Sequence, residues 1–137
     1  MKFSKIVLGS IIVWIVSTIY LWLTCGWLFK WVYEIEPTVA WKGAMGGNTV
    51  FASLLLGLIV AFLFSYVFSV LYKGIPGKGI NKGLAYGFLV WLVGGLSGVI
   101  TMPLYMNIAV SVVIYWAISF LALKLINGAI LGKVFKK

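Results

Sequence analysis

Between Lys82 and Lys124 the chain reads GLAYGFLVWLVGGLSGVITMPLYMNIAVSVVIYWAISFLAL, 41 residues without a charged side chain. A transmembrane helix needs roughly 20 consecutive apolar residues. The stretch is therefore too long for one span and just long enough for two joined tightly. Thr101-Met102-Pro103 marks the expected break, because proline lacks a backbone donor and biases the residue before it away from helix. This places a third span at 83–101 and a fourth at 104–131. The number of spans, and with it the side on which each terminus lies, turns on this division.

The other charges delimit the other spans. Lys5 and Lys30 enclose 24 uncharged residues, which predicts a first span at 6–29. That run is too long for the apolar region of a cleaved signal peptide. Lys42 and Lys73 enclose 30 residues, of which Gly43 to Asn48 read as loop. A second span follows at 49–72, with Asn48 or Thr49 as N-cap. The expected fold is a single all-α domain over 1–137, a polytopic integral membrane protein built as a bundle of four transmembrane helices.

Composition agrees. The 137 residues have a mean hydropathy of +1.15, with 64% hydrophobic and 9% charged. A soluble domain is about one quarter charged, so 11 lysines and 2 glutamates cannot cover an aqueous globule of this size. The chain contains no His, Asp, Arg or Gln, and Cys25 is its one thiol. Without His, the commonest general base and metal ligand is missing. One cysteine supports neither an intrachain disulfide nor a redox pair. No Ser–His, Cys–His or buried carboxylate dyad can be assembled, so the chain is expected not to be an enzyme and to carry no cofactor.

Lysine placement orients the spans. With four spans, both termini and the loop between spans two and three share one side. That side holds Lys2, Lys5, Lys73, Lys78, Lys82, Lys124, Lys133, Lys136 and Lys137, nine of the 11. The other side holds Lys30 and Lys42, balanced by Glu34 and Glu36. The positive-inside rule then predicts a multi-pass protein of the cell (cytoplasmic) membrane with both termini cytoplasmic. The net charge of +9 therefore points to a membrane surface and not to nucleic acid. Lys124 is expected near the inner end of span four, its long stem reaching the headgroups. Tyr20, Trp22, Trp27, Trp31, Tyr33 and Trp41 form the expected aromatic belt at the outer interface.

Small residues mark helix contacts in lipid, because close backbone approach drives association there. Span two carries Ser53, Gly57, Ala61, Ser65 and Ser69, one every fourth position. Span three carries Gly83, Gly87, Gly94 and Gly98, which fall within an arc of about 60° on a helix of 3.6 residues per turn. These stripes predict intimate contact between spans two and three. The groove serves either that contact, within one chain or between copies, or the close approach of a ligand to backbone.

Few residues carry chemistry. Glu34 and Glu36 share a face if their loop is extended, as Pro37 favours, and would then stand at the outer mouth of a channel. The plainer reading is a solvated loop that balances Lys30 and Lys42. In the inner loop, Lys73, Lys78 and Lys82 lie among glycines without the spacing of a P-loop. They suit anionic lipid headgroups, or act simply as topological anchors. No acid lies within a span, and ion-coupled carriers usually place an ionisable group at mid-depth. Buried polar candidates are Ser17, Thr18, Ser65, Ser97, Ser111, Ser119 and Asn107. Trp14, Trp91 and Trp116 could stack on a quinone or lipid, but more often such rings fill the bundle. Cys25 reads as a small buried thiol, with lipidation as the alternative.

The expected function is a non-catalytic accessory or scaffold subunit within a larger membrane assembly. Its partners would be the bilayer and other membrane subunits or further copies of the chain. A small homo-oligomeric channel or transporter is the first alternative, and predicts polar side chains converging on a continuous path. A lipid- or quinone-binding protein is the second, and predicts an apolar side pocket between helices near Trp91 or Trp116.

Overall fold

The computed structural model describes residues 3–35 and 46–136. Four helical rods hold most of them: α1 (Phe3–Leu28), α2 (Gly47–Leu71), α3 (Ile80–Tyr105) and α4 (Val110–Val134). Each has 25 or 26 residues, which at 1.5 Å per residue is about 38 Å, more than the roughly 30 Å of a hydrocarbon core. Length and hydropathy thus fit all four for crossing a membrane, and no strand occurs among the described residues.

The 41-residue stretch divides later than its proline suggests. Pro103 lies in the first turn of the short helical segment Met102–Tyr105, where its missing N–H has no intrahelical partner to lose. The third rod therefore runs past it to Tyr105, and the fourth begins at Val110 instead of near 104. At the start of α2 the N-cap is Gly46 in an extended conformation, and no side chain caps the helix, so neither Asn48 nor Thr49 has that role.

The tightest contact joins α3 to α4. Gly83 lies against the Gly128 carbonyl, Gly87 against the Lys124 carbonyl and Gly132 against the Gly79 carbonyl. A Cβ at Gly83, Gly87, Gly128 or Gly132 would overlap main-chain atoms of the opposing segment. Gly79, Gly83 and Gly87 thus meet Gly132, Gly128 and Lys124 in antiparallel register, with four-residue spacing on both sides. This is the small-xxx-small solution to helix association in lipid.

The expected backbone contact between spans two and three is not found, because α4 already occupies that face of α3. These two rods meet through aromatic side chains instead. Tyr86 donates its hydroxyl to the Phe64 carbonyl at 2.7 Å, and the rings of Phe64 and Phe68 lie 4.8 and 5.0 Å from its ring. On the other side, α1 packs along α2, with Gly9 beside Ser65 and Gly57 beside Trp14. α1 also meets α4, where Tyr20 Oη lies 2.9 Å from the Ser119 carbonyl.

The two ends of the bundle differ. At one, Lys5 Nζ donates to the Lys136 carbonyl and Lys82 Nζ to the Tyr72 carbonyl, over a core of Phe68, Tyr86, Leu131 and Phe135. The two described chain ends therefore meet at this lysine end. The opposite, glutamate end holds Glu34 and a separate core of Val32, Val99, Ile108, Val112 and Val113.

The seam predicts a sharp asymmetry among glycines. Gly128→Ala should destabilise the protein by about 1–3 kcal/mol, the usual cost of overpacking. Gly94→Ala meets nothing within 4 Å and should change little. Thermal unfolding of the two variants in one detergent checks this.

Candidate functional site: a half-open cleft between the rods

Between its two packed ends the bundle leaves a half-open cavity of about 460 Å³, lined by residues from all four rods. Val13, Val60, Phe64, Val90, Phe120 and Leu123 give it apolar walls. The volume falls in the range of roughly 300–1,000 Å³ usual for small-molecule sites. The α2 and α3 walls, which scarcely touch each other, include Gly57 and Gly94, which supply no side chain, and Gly94 is exposed. A π-helical turn over Trp91–Leu96 brings Gly94 and Gly95 into this wall. Such turns occur mostly as local departures within α-helices, frequently at functional sites.

Three polar residues interrupt the apolar lining: Ser17, Lys124 and Asn127. Lys124 is not near the end of its helix. It lies ten residues before Val134, about 15 Å along the axis, and its ammonium sits 5.0 Å from the centre of the Phe64 ring. That position corrects the expectation of a lysine reaching the headgroups from the last turns of span four. Glu34, the one acid among the described residues, belongs to the far end. Its neighbour Tyr33 accepts a hydrogen bond from Trp116 Nε1 at 2.8 Å, eight residues up α4 from Lys124. Asn127 is 3% exposed. Its Nδ2 donates to Ser17 Oγ at 2.8 Å, while Oδ1 is buried with no partner.

The structure scatters the stripes of small residues. In α3, Gly83 and Gly87 belong to the seam, Gly94 lines the cavity and Gly98 faces open space. In α2, Gly57 and Ala61 line the cavity, and exposed Ser53 bonds to the Val50 carbonyl. Ser65 is fully buried with its hydroxyl unpartnered, and Ser69 donates to the Tyr66 carbonyl at 2.6 Å. Lys73 and Lys78 are exposed, whereas Lys82 is half-buried, bonded to the Tyr72 carbonyl and 4.5 Å from the centre of the Tyr72 ring. Glu34 is exposed at the end of the 3-10 turn Lys30–Glu34, and Glu36 lies outside the described residues.

The candidate stacking tryptophans tie the bundle together. Trp14 donates to the Leu54 carbonyl at 3.0 Å, Trp91 to the Ala117 carbonyl at 2.8 Å, and Trp116 to Tyr33. Cys25 is half-buried, its sulfur 3.8 Å from the Tyr115 hydroxyl. Burial, reinforced by hydrogen bonding to Cys25, pushes the Tyr33 phenol well above its ordinary pKa, so it stays a neutral hydroxyl. Among the described residues no group of three or more His, Cys, Asp or Glu is placed to hold a metal ion.

Sequence reasoning did not single out Asn127, Gly128 or Gly132. The signal was present: Gly128 and Gly132 repeat at four residues, and Lys124 and Asn127 stand three apart on one helical face. No family model matches the chain, and no curated protein or solved structure proves similar to it.

The Ser17–Asn127 bond yields a second prediction. Interhelical hydrogen bonds in membrane proteins average about 0.6 kcal/mol with a maximum near 1.7. Ser17→Ala should therefore lower stability by an amount in that range. Asn127→Leu and Asn127→Ala both remove the unpaired oxygen and the bond to Ser17, and Leu should cost less because it leaves a smaller cavity. Unfolding midpoints of the three variants provide the check.

Proposed function

We propose that this integral membrane protein is non-catalytic and draws an elongated amphiphile from the bilayer into the cleft between α2 and α3. The apolar walls receive the tail, and Lys124 and Asn127 hold the head. The observation that carries this reading is that Lys124 and Asn127, whose buried amide oxygen has no partner, line an otherwise apolar, half-open cavity. Polar groups inside a membrane are costly and are generally retained for function. A few convergent polar groups in an apolar pocket are the usual pattern of a small-molecule site.

In the same reading the protein sits in the cytoplasmic membrane with its lysine end inward. Exposed Lys73 and Lys78 then meet anionic headgroups, each contributing about 1 kcal/mol near the surface. A scaffold subunit is the second reading, favoured by the open faces of Gly94 and Gly98, where a foreign helix could approach backbone. The channel reading draws less support, since the packed core of Val32, Val99, Ile108 and Val112 occupies the glutamate end.

Extraction into native-lipid nanodiscs followed by mass spectrometry of the bound lipids tests the proposal. One lipid class should be enriched over the surrounding membrane. Bound lipids that merely mirror the bulk composition, together with a second membrane protein at fixed stoichiometry, would replace amphiphile binding with the scaffold reading.

A further inference from the structure

Resting on the amphiphile reading, we infer that the occupant of the cleft is a single-chain carboxylic acid of fatty-acid type, its carboxylate paired with the Lys124 ammonium. Lys124 is half-buried at mid-helix, and its ammonium faces the Phe64 ring. A lysine so placed needs an anionic counterpart or a route to water. The chain has only two acids. Glu34 is exposed at the far end of the bundle, and no acid among the described residues reaches Lys124. In this proposal the ligand supplies the complementary charge.

Asn127 narrows the head group. In the orientation with Nδ2 on Ser17, its buried Oδ1 points to no donor. Turning the amide by half a revolution lets the Ser17 hydroxyl donate to Oδ1 and leaves Nδ2 as the donor that lacks a partner. Lys124 and Asn127, one helical turn apart on α4, then offer two donors, which suits the two oxygens of a carboxylate. A quinone carries no charge to balance Lys124.

The cavity sets the size of the tail. At about 460 Å³ the cavity has the scale of a small-molecule site, roughly 300–1,000 Å³. That suits one acyl chain with a small head. A two-chain phospholipid carries well over twice as many heavy atoms. The gap between α2 and α3 offers a lateral route for a single chain from the bilayer.

The test uses the full chain in nanodiscs and compares palmitate, hexadecanol and a lysophospholipid as probes. Palmitate should bind saturably and at least tenfold more tightly than the other two. Lys124→Met should lower palmitate affinity at least tenfold and leave hexadecanol unchanged, while Lys124→Arg keeps the preference for the acid. Unfolding midpoints for each variant establish that the bundle is intact. If palmitate and hexadecanol bind equally and Lys124→Met alters neither, the carboxylate assignment is overturned while amphiphile binding stands. Preference for the lysophospholipid would overturn it in favour of a phosphate head. If no probe binds saturably, the amphiphile reading fails and this inference with it.

Discussion

Everything in this bundle follows from the backbone contact between α3 and α4. In a bilayer there is no aqueous penalty to drive apolar helices together, so close van der Waals approach and a few hydrogen bonds must suffice. Gly83, Gly87, Gly128 and Gly132 allow the main chains to touch, and an added methyl at any of them would collide with backbone. The seam lies in the half of the bundle nearer the lysine end. Gly87 rests on the Lys124 carbonyl, which fixes that turn of α4. The lysine side chain extends from this fixed turn toward Phe64 of α2 and into the cavity.

A seam used by α3 and α4 leaves α2 without a backbone partner in α3. α2 is held by α1, through Gly9 beside Ser65 and Trp14 against Leu54 and Gly57, and by the Tyr86 hydroxyl near the lysine end. Toward the glutamate end, Gly57, Gly94 and Gly98 provide no side chains to bridge the gap. The cleft is thus what remains when the best packing surface of one helix is spent on one neighbour. Its polar groups are few, but each occupies a position where membrane proteins rarely tolerate them without use. The lysine cluster at one end and the aromatic ties of Trp14, Trp91 and Trp116 keep the four rods in register around it.

Much of the architecture was legible in the sequence because the bilayer makes length and charge decisive. The uncharged run from Ile6 to Phe29 and the run ending at Tyr72 match α1 and α2 within a few residues. The division near Pro103 was displaced because proline tolerates the first turn of a helix, and the short segment Met102–Tyr105 uses that tolerance. Helix pairing was less legible. Small-residue stripes reveal that a face is suited to contact but not which rod fills it, and the stripe on α3 matched Gly128 and Gly132 of α4 better than Ala61 and Ser65 of α2. The cleft itself had no local signature. Lys124 reads as a residue near a helix end until the late start of α4 shifts that rod toward the C-terminus, and Asn127 acquires meaning only beside Ser17, 110 residues away.

The most direct measurement is electron cryo-microscopy of the protein in its own membrane lipids, at a resolution that shows side chains. Continuous elongated density is expected between α2 and α3, ending within hydrogen-bond distance of Lys124 Nζ, with the glycine seam closed beneath it. A cleft shut by contact between α2 and α3, with the Lys124 side chain turned toward the lysine end, would contradict that expectation.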